Sequence, residues 1–367
     1  MQGNVLHVAS YGGTARGSFV ACLEMLAKEL ARSGIKQGYL LPSTARDRAW
    51  TAELAGDAFV NFLPNDRLGQ VKAIREAVRQ TGAQVVHTWF SRYDLPAWVA
   101  TRGTGARVLW HMQSERAVPR TLRWLLTDTI KYRMIGRTTY AVAVSDRVCE
   151  WIVERGMPKG RALTVENGAD IARVSSPSAT RDQLRADLGI RPTTLCLLLF
   201  GWEPDRKGVD IALRGLQSLI GEVDLRLLLV ADERADRFIH RTLGHDLPDW
   251  APRIKGRQVA ADFYAIADIF LSASRLEGFP YAVTEAIASG IPVVSSDIGA
   301  LAWAKRIPSV AFFPLDRPEL LAAAVRTITS WTEEERKARV SKGQRFVCEN
   351  YSLEAWARRM AAAYRSL

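Results

Sequence analysis

Along the chain, short continuous apolar runs alternate with longer stretches in which apolar residues recur every three or four positions. Residues 5–9 read as a buried strand, the turn Ser10-Tyr-Gly-Gly-Thr follows, and residues 18–32 carry Phe19, Leu23, Leu26 and Leu30 on one helical face. Further strands are expected at 37–41, 85–89, 107–112 and 139–144, with helices near 67–80 and 145–155. That alternation predicts an α/β domain, a parallel sheet with helices on both faces. The pattern breaks over residues 171–192, where Ser175-Ser-Pro-Ser and Ile190-Arg-Pro mark a connection between domains with a short helix at 181–188. A second round opens at Leu195-Cys-Leu-Leu-Leu-Phe200, a run suited to a strand buried on both faces. Strands at 225–230, 269–273, 292–295 and 310–313 follow, with helices near 209–220, 284–289 and 319–330. Two doubly wound parallel-sheet domains are therefore expected, with ligands at the carboxyl ends of the strands and so in a cleft between the domains. Near the end, Trp356, Met360 and Tyr364 fall at i, i+4 and i+8, one apolar helical face.

Composition narrows the class further. The 367 residues are 48% apolar and 24% charged, which fits folded domains and excludes disorder, collagen and coiled coil. Cys22, Cys149, Cys196 and Cys348 stand far apart with no Cys-x-x-Cys, so neither a zinc site nor a disulfide framework is expected, and a reducing compartment is. No leader pattern and no membrane-length apolar run occurs, which points to a cytoplasmic protein. Basic residues outnumber acidic ones 50 to 39, and the excess is uneven: 23 against 15 over residues 1–170, 27 against 24 over the rest. The first half is thus expected to meet something anionic.

The most informative stretch is Ser274-Arg-Leu-Glu-Gly-Phe-Pro-Tyr-Ala-Val-Thr-Glu-Ala-Ile-Ala-Ser-Gly-Ile-Pro-Val-Val-Ser296, with Glu277 in a loop after a strand and Glu285 eight positions on, in a helix. A loop with Gly278 that runs into a helix start presents backbone N–H groups and a positive dipole end, which suits phosphate or sugar hydroxyls. On spacing alone, two solvated carboxylates explain the pair equally well. A second stretch, Phe200-Gly-Trp-Glu-Pro-Asp-Arg-Lys-Gly-Val-Asp210, is a strand end and loop entering a helix; taken alone, its Arg-Lys-Gly reads as an exposed turn.

Together these segments resemble the retaining glycosyltransferases of family 4. The resemblance implies two Rossmann-like domains of the GT-B fold, 1–170 on the acceptor side and 171–349 binding the nucleotide sugar. Residues 350–367 are expected as a final helix that crosses back to the first domain. It also implies that Glu277 contacts the donor sugar and Glu285 the nucleotide ribose, with backbone groups of Gly278, Phe279 and Tyr281 nearby. Pro280 replaces the second glycine of many members and has no N–H to give. Lys207, after Gly201 and beside Gly208, matches the diphosphate-binding cation, whose charge stabilises the departing diphosphate most in the transition state. Trp202 stands at the usual arginine position, so Arg206 is expected to supply the second cation. Gly12 and Gly13 match the first-loop glycines next to the donor, and His111 a histidine near the reacting sugar, whereas Arg16 and His87 are candidate acceptor contacts. No protein nucleophile, no metal site and no cofactor beyond the sugar-nucleotide co-substrate is expected.

Residues 116–137 carry Arg116, Arg120, Arg123, Lys131, Arg133 and Arg137 against Asp128 alone, interleaved with Leu122, Trp124, Leu125, Leu126, Ile130 and Tyr132. Such a basic amphipathic segment suits an anionic membrane surface, peripheral on the inner face of the cell membrane, and equally a helix that covers a sheet. No nucleic-acid-binding motif is present. The expected activity is transfer from a UDP-sugar to a hydroxyl of a glycan or lipid-linked acceptor in surface polysaccharide synthesis. A sugar-nucleotide epimerase of the same architecture and a non-catalytic nucleotide-sugar-binding protein are the alternatives.

Overall fold

The computed structural model describes residues 3–14, 16–56, 58–115, 126–256 and 259–367. They divide into two compact units, Met1–Gly168 with Leu353–Leu367, and Ala169–Ser352. The first unit runs β1 (Asn4–Ala9), α1 (Gly17–Ala31), β2 (Gln37–Pro42), α2 (Ala49–Ala55), β3 (Phe59–Leu63), α3 (Arg67–Thr81), β4 (Ala83–Trp89), α4 (Asp94–Ala100), β5 (Arg107–Met112), β6 (Tyr140–Ala143), α5 (Asp146–Glu154) and β7 (Ala162–Thr164). These strands form one parallel sheet in the order β3-β2-β1-β4-β5-β6-β7. Its order reverses between β1 and β4, so the loops after those two strands diverge and leave a crevice at their carboxyl ends.

The second unit contains α6 (Ile171–Val174), α7 (Arg181–Asp187), β8 (Leu195–Phe200), α8 (Val209–Leu216), β9 (Leu225–Val230), α9 (Arg234–Leu243), β10 (Arg253–Ile254), α10 (Ala260–Ile266), β11 (Ile269–Ser272), α11 (Tyr281–Ala288), β12 (Val293–Ser296), β13 (Val310–Phe313), α12 (Leu320–Thr329) and α13 (Glu333–Tyr351). Its parallel sheet has the order β10-β9-β8-β11-β12-β13 and reverses between β8 and β11. Leu197, Leu198 and Leu199 of β8 are buried on both faces, as their continuous apolar run requires.

Residues 171–192, expected as a connection with a short helix at 181–188, carry that helix as α7 and pack on the second unit through Arg185, which is buried and donates to the carbonyls of Ile266 (3.1 Å), Pro192 (3.1 Å) and Thr194 (3.3 Å) while pairing with Asp268 (2.6 Å). A buried guanidinium is tolerated only when its N–H groups are satisfied in this way. The last helix, in turn, does not begin at residue 350. Residues up to Tyr351 belong to α13, Ser352 is extended, and α14 (Leu353–Ser366) starts afresh. Trp356, Met360 and Tyr364 are buried with Leu23, Leu26 and Leu30 of α1 in the core of the first unit. Full burial of side chains of this size contributes roughly 1.5–3 kcal/mol each.

Candidate functional site

In the second unit, the two motif loops leave neighbouring strands at the point where the sheet order reverses, 201–208 after β8 and 273–280 after β11. The backbone N–H of Arg275 donates to the carbonyl of Arg206 at 2.8 Å, tying one loop to the other. Arg275 also reaches Asp210 in the first turn of α8 at 2.8 and 2.9 Å; Asp210 has no exposed surface, and Arg214 pairs with it too. Burial works against the Asp210 carboxylate, but the two guanidiniums outweigh it and hold its pKa below the usual value. The approach of the loops is close enough to demand a glycine: at Gly208 (φ +64°) a Cβ would lie 2.0 Å from the carbonyl oxygen of Ala273.

This arrangement sets three charged side chains against one another. Glu277 is only 7% exposed; one of its oxygens accepts from Lys207 Nζ at 2.6 Å and from Ser274 Oγ at 2.7 Å, the other from Arg206 at 2.8 Å. Burial alone would raise the Glu277 pKa, yet Lys207 and Arg206 together lower it, so the carboxylate is ionised. Arg206 is also held by the carbonyl of Leu276 (3.1 Å) and by Glu203 (3.0 Å). Trp202 lies 41% exposed, its ring beside Gly256. Gly201 is a packing glycine, where a Cβ would meet Leu229 at 2.7 Å and Val209 at 3.0 Å.

Past Glu277, Gly278 and Phe279 are buried, and among the described residues neither backbone N–H has an acceptor. Buried amides rarely go unpaired, and these two lie in succession beside the charged cluster. The Phe279 ring itself is core, stacked on Trp303, and Pro280 caps α11, whose first residue is Tyr281. One turn along, Glu285 is buried, accepts from Tyr264 Oη at 2.8 Å and pairs with Arg173. Burial and the neighbouring Glu285 charge push the Tyr264 phenol up, so it stays a donor. The roles of Ser274, Arg173, Tyr264 and the Asp210–Arg275 pair escaped the sequence reading, although Ser274, Arg275 and Asp210 lie within the two motif stretches.

The first-unit candidates are arranged differently. Gly12 sits where a Cβ would fall 2.1 Å from Thr44 Oγ1, and the Gly13 carbonyl accepts from Trp50 Nε1 at 3.1 Å. Arg16 is half-exposed and pairs with Glu24. His87 is fully buried, with Nδ1 2.6 Å from Tyr364 Oη and Nε2 3.1 Å from His111 Nδ1, so it presents no nitrogen to an acceptor. His111 is 2% exposed, and its Nε2 has no hydrogen-bond partner among the described residues. His7, opposite His87 in the sheet, bonds Gln37 at 2.8 Å and accepts from Trp89 Nε1 at 3.2 Å.

Burial keeps these three imidazoles neutral. It lowers the pKa of His7 to about 4, against a smaller upward effect of Gln37, and that of His111 to about 3, against Asn167; His87 is pushed down by burial and then by its histidine neighbours. Because the unfolded chain protonates near 6.5 while the native core does not, stability is full above that pH and is lost as pH falls toward the native values. Between pH 7 and 5, His7 and His111 are each expected to remove roughly 2 kcal/mol. Thermal melts should show a marked drop over this interval; an unchanged melting temperature would contradict neutral burial.

No helix among the described residues is long and apolar enough to cross a membrane, and no group of three or more His, Cys, Asp or Glu there could hold a metal ion. The basic segment at 116–137 lies in its first part, including Arg116, Arg120 and Arg123, outside the described residues.

Comparison with known proteins places this geometry in context. The model for Glycosyltransferase Family 4 matches residues 20–173, and that for Glycosyl transferases group 1 matches residues 191–330. The lipopolysaccharide core biosynthesis mannosyltransferase LpsB of Rhizobium meliloti is 24% identical over 272 residues, 64% of this chain and 67% of its own. A D-inositol 3-phosphate glycosyltransferase of Xylanimonas cellulosilytica is 26% identical over 390 aligned positions, 96% of this chain and 92% of its own. Among solved structures, a glycosyltransferase from Rickettsia africae superposes with a TM-score of 0.80 at 18% identity, covering 99% of this chain and 97% of its own. Anabaena Alr3699/HepE in complex with UDP-glucose gives 0.81 at 16% identity and covers both chains fully.

Proposed function

Since the chain is a glycosyltransferase of family 4 with the GT-B fold, we propose that it moves a sugar from a nucleoside-diphosphate sugar to an acceptor hydroxyl of a lipid-linked or surface glycan, with the donor held at the carboxyl ends of β8 and β11. One observation carries this reading: Lys207 and Arg206, from one loop, converge on the buried Glu277 of the other. A diphosphate that enters there competes with Glu277 for both cations, and the unpaired amides of Gly278 and Phe279 offer further donors. Glu277, ionised and fixed by Ser274, is then the acceptor for donor-sugar hydroxyls, and Glu285 for ribose hydroxyls.

The chemistry proposed is retaining. The acceptor oxygen attacks the anomeric carbon from the face that the diphosphate leaves. The carbon–phosphate-oxygen bond breaks with its electron pair going to the phosphate, and that oxygen takes the acceptor's proton. Positive charge from Lys207 and Arg206 meets the negative charge that develops on the leaving group, so its effect is larger in the transition state than in the ground state. A buried, low-dielectric setting strengthens it.

A UDP-sugar is the first donor to test, because Anabaena Alr3699/HepE was solved with UDP and UDP-glucose; GDP-mannose is the second, because a Mycobacterium tuberculosis relative is described as GDP-mannose-dependent. A thermal-shift panel of UDP, GDP, ADP and their sugars separates them, since a ligand bound only by the native state at 100 times its Kd stabilises by about 2.7 kcal/mol. One base should raise the melting temperature selectively. No shift with any of them, at millimolar concentration, would contradict a nucleotide site.

A further inference from the structure

The first unit has its own crevice where its sheet order reverses. A cavity of about 900 Å³ opens there, lined by Ser10 after β1, Phe90 and Ser91 after β4, and Arg67 at the first turn of α3. Phe90 (φ +65°) and Ser91 (φ +55°) are, among the described residues, the two non-glycine positions in the left-handed region. Strain of this kind costs on the order of 1 kcal/mol or more per residue and persists where the surroundings enforce it, which is commonly at binding sites.

The lining combines cations with apolar side chains. Arg67 and Arg92 are exposed, and neither has a carboxylate partner among the described residues, Arg92 lying over the Tyr93 ring at 5.9 Å, whereas Lys131 is already paired with the buried Asp94 at 2.5 Å. Three of the lining apolar side chains are exposed, Phe90 at 37%, Leu95 at 46% and Ile130 at 48%, and Leu68, Leu126 and Met134, next in sequence to lining residues, are exposed at 76%, 57% and 64%. Leu126, Ile130 and Met134 are spaced four apart along one stretch, and Leu95 and Val99 four apart on α4, so each stretch turns an apolar line outward rather than into the core. An exposed apolar rim is unfavourable in water, and beside arginines that have no carboxylate partner it marks a surface that meets an amphiphile.

We propose that this crevice holds the anionic end of a lipid-attached acceptor, a phosphate or pyrophosphate joined to a hydrocarbon chain, with Arg67 and Arg92 on the charged group and the Leu95–Ile130 rim against the lipid. This rests on the transferase reading and names the class of its acceptor.

The test is co-sedimentation of the full chain with phosphatidylcholine vesicles containing dodecyl phosphate, with pure phosphatidylcholine vesicles as reference. Wild type should partition at least 10-fold more strongly onto the dodecyl phosphate vesicles. The R67A/R92A double variant should lose roughly 30-fold, as expected for two basic side chains near an anionic surface. Both arginines are exposed, so the variant should keep its melting temperature and its nucleotide-induced thermal shift. Equal partition of variant and wild type, or no preference for the anionic vesicles, would overturn the proposal. Competition by inorganic phosphate that abolishes binding at millimolar concentration would overturn the lipid component and leave a soluble phosphate site. Loss of the nucleotide shift in wild type, with vesicle binding intact, would instead contradict the donor site and leave this one standing.

Discussion

Lys207→Ala is expected to lower kcat for sugar transfer by about 10²–10³, with a smaller change in KM, as removal of one preorganised donor to a developing oxyanion does elsewhere. The loss falls on kcat because the leaving diphosphate gains charge as the glycosidic bond breaks, and the ammonium answers that added charge. The fold should survive. Without Lys207, Glu277 keeps Arg206 at 2.8 Å and Ser274 at 2.7 Å, so no buried carboxylate is left unpaired. Lys207→Arg should recover part of the rate, since the charge returns but as a planar fork in place of a compact ammonium. Single-turnover rates on the three proteins check this; a kcat for the alanine variant within a few-fold of wild type would remove Lys207 from the site.

Gly208→Ala should be the most damaging single methyl group in the second unit. A left-handed conformation costs an L-residue about 1–2 kcal/mol by itself. Here the added carbon would also lie 2.0 Å from the Ala273 carbonyl oxygen, a backbone atom that no rotamer change can move. Relief requires the two motif loops to separate, which breaks the Arg275-to-Arg206 backbone bond and shifts Glu277 off Lys207. A fall in melting temperature of roughly 10 °C or more is expected, with loss of nucleotide binding. Gly244→Ala is the control: its φ is +75° but nothing lies within 4 Å of the added carbon, so only the conformational cost remains. Similar melting temperatures for the two variants would show that the loop contact is not tight.

Those loops also show what a sequence can and cannot disclose. The continuous run Leu195–Phe200 declared β8 outright, whereas Glu277, Glu285 and Lys207 stood out only through the resemblance to family 4, since spacing alone left them as solvated carboxylates and an exposed turn. β3, β7 and β10 gave little signal: β3 and β10 lie at sheet edges, β7 closes the other end, and their partly exposed residues lack a clean apolar pattern. Arg173 and Tyr264 could not be ranked from sequence, since each acquires Glu285 as its partner only when helices 112 and 21 positions apart become neighbours, whereas Ser274 lies three residues from its partner Glu277. The histidines show the converse. His87 and His111 stood out as rare polar residues at strand ends, and only packing reveals that Tyr364, 277 positions away, occupies the first and that both are driven to the neutral state by burial. Arg206 and Trp202 lie four positions apart in one loop, yet only the fold shows that the arginine turns toward Glu277 while the indole covers Gly256.

The most direct test of sugar transfer is to follow an isotope-labelled sugar from the donor identified by the thermal-shift panel, with a dodecyl phosphate-linked glycan as acceptor, by NMR of the anomeric proton. Label should appear on the acceptor only when both substrates are present, with the anomeric configuration it had in the donor, and this should fail with Lys207→Ala. Conversion of the donor to a different sugar nucleotide without acceptor, or tight binding of the donor with no turnover under any acceptor, would contradict a retaining transferase.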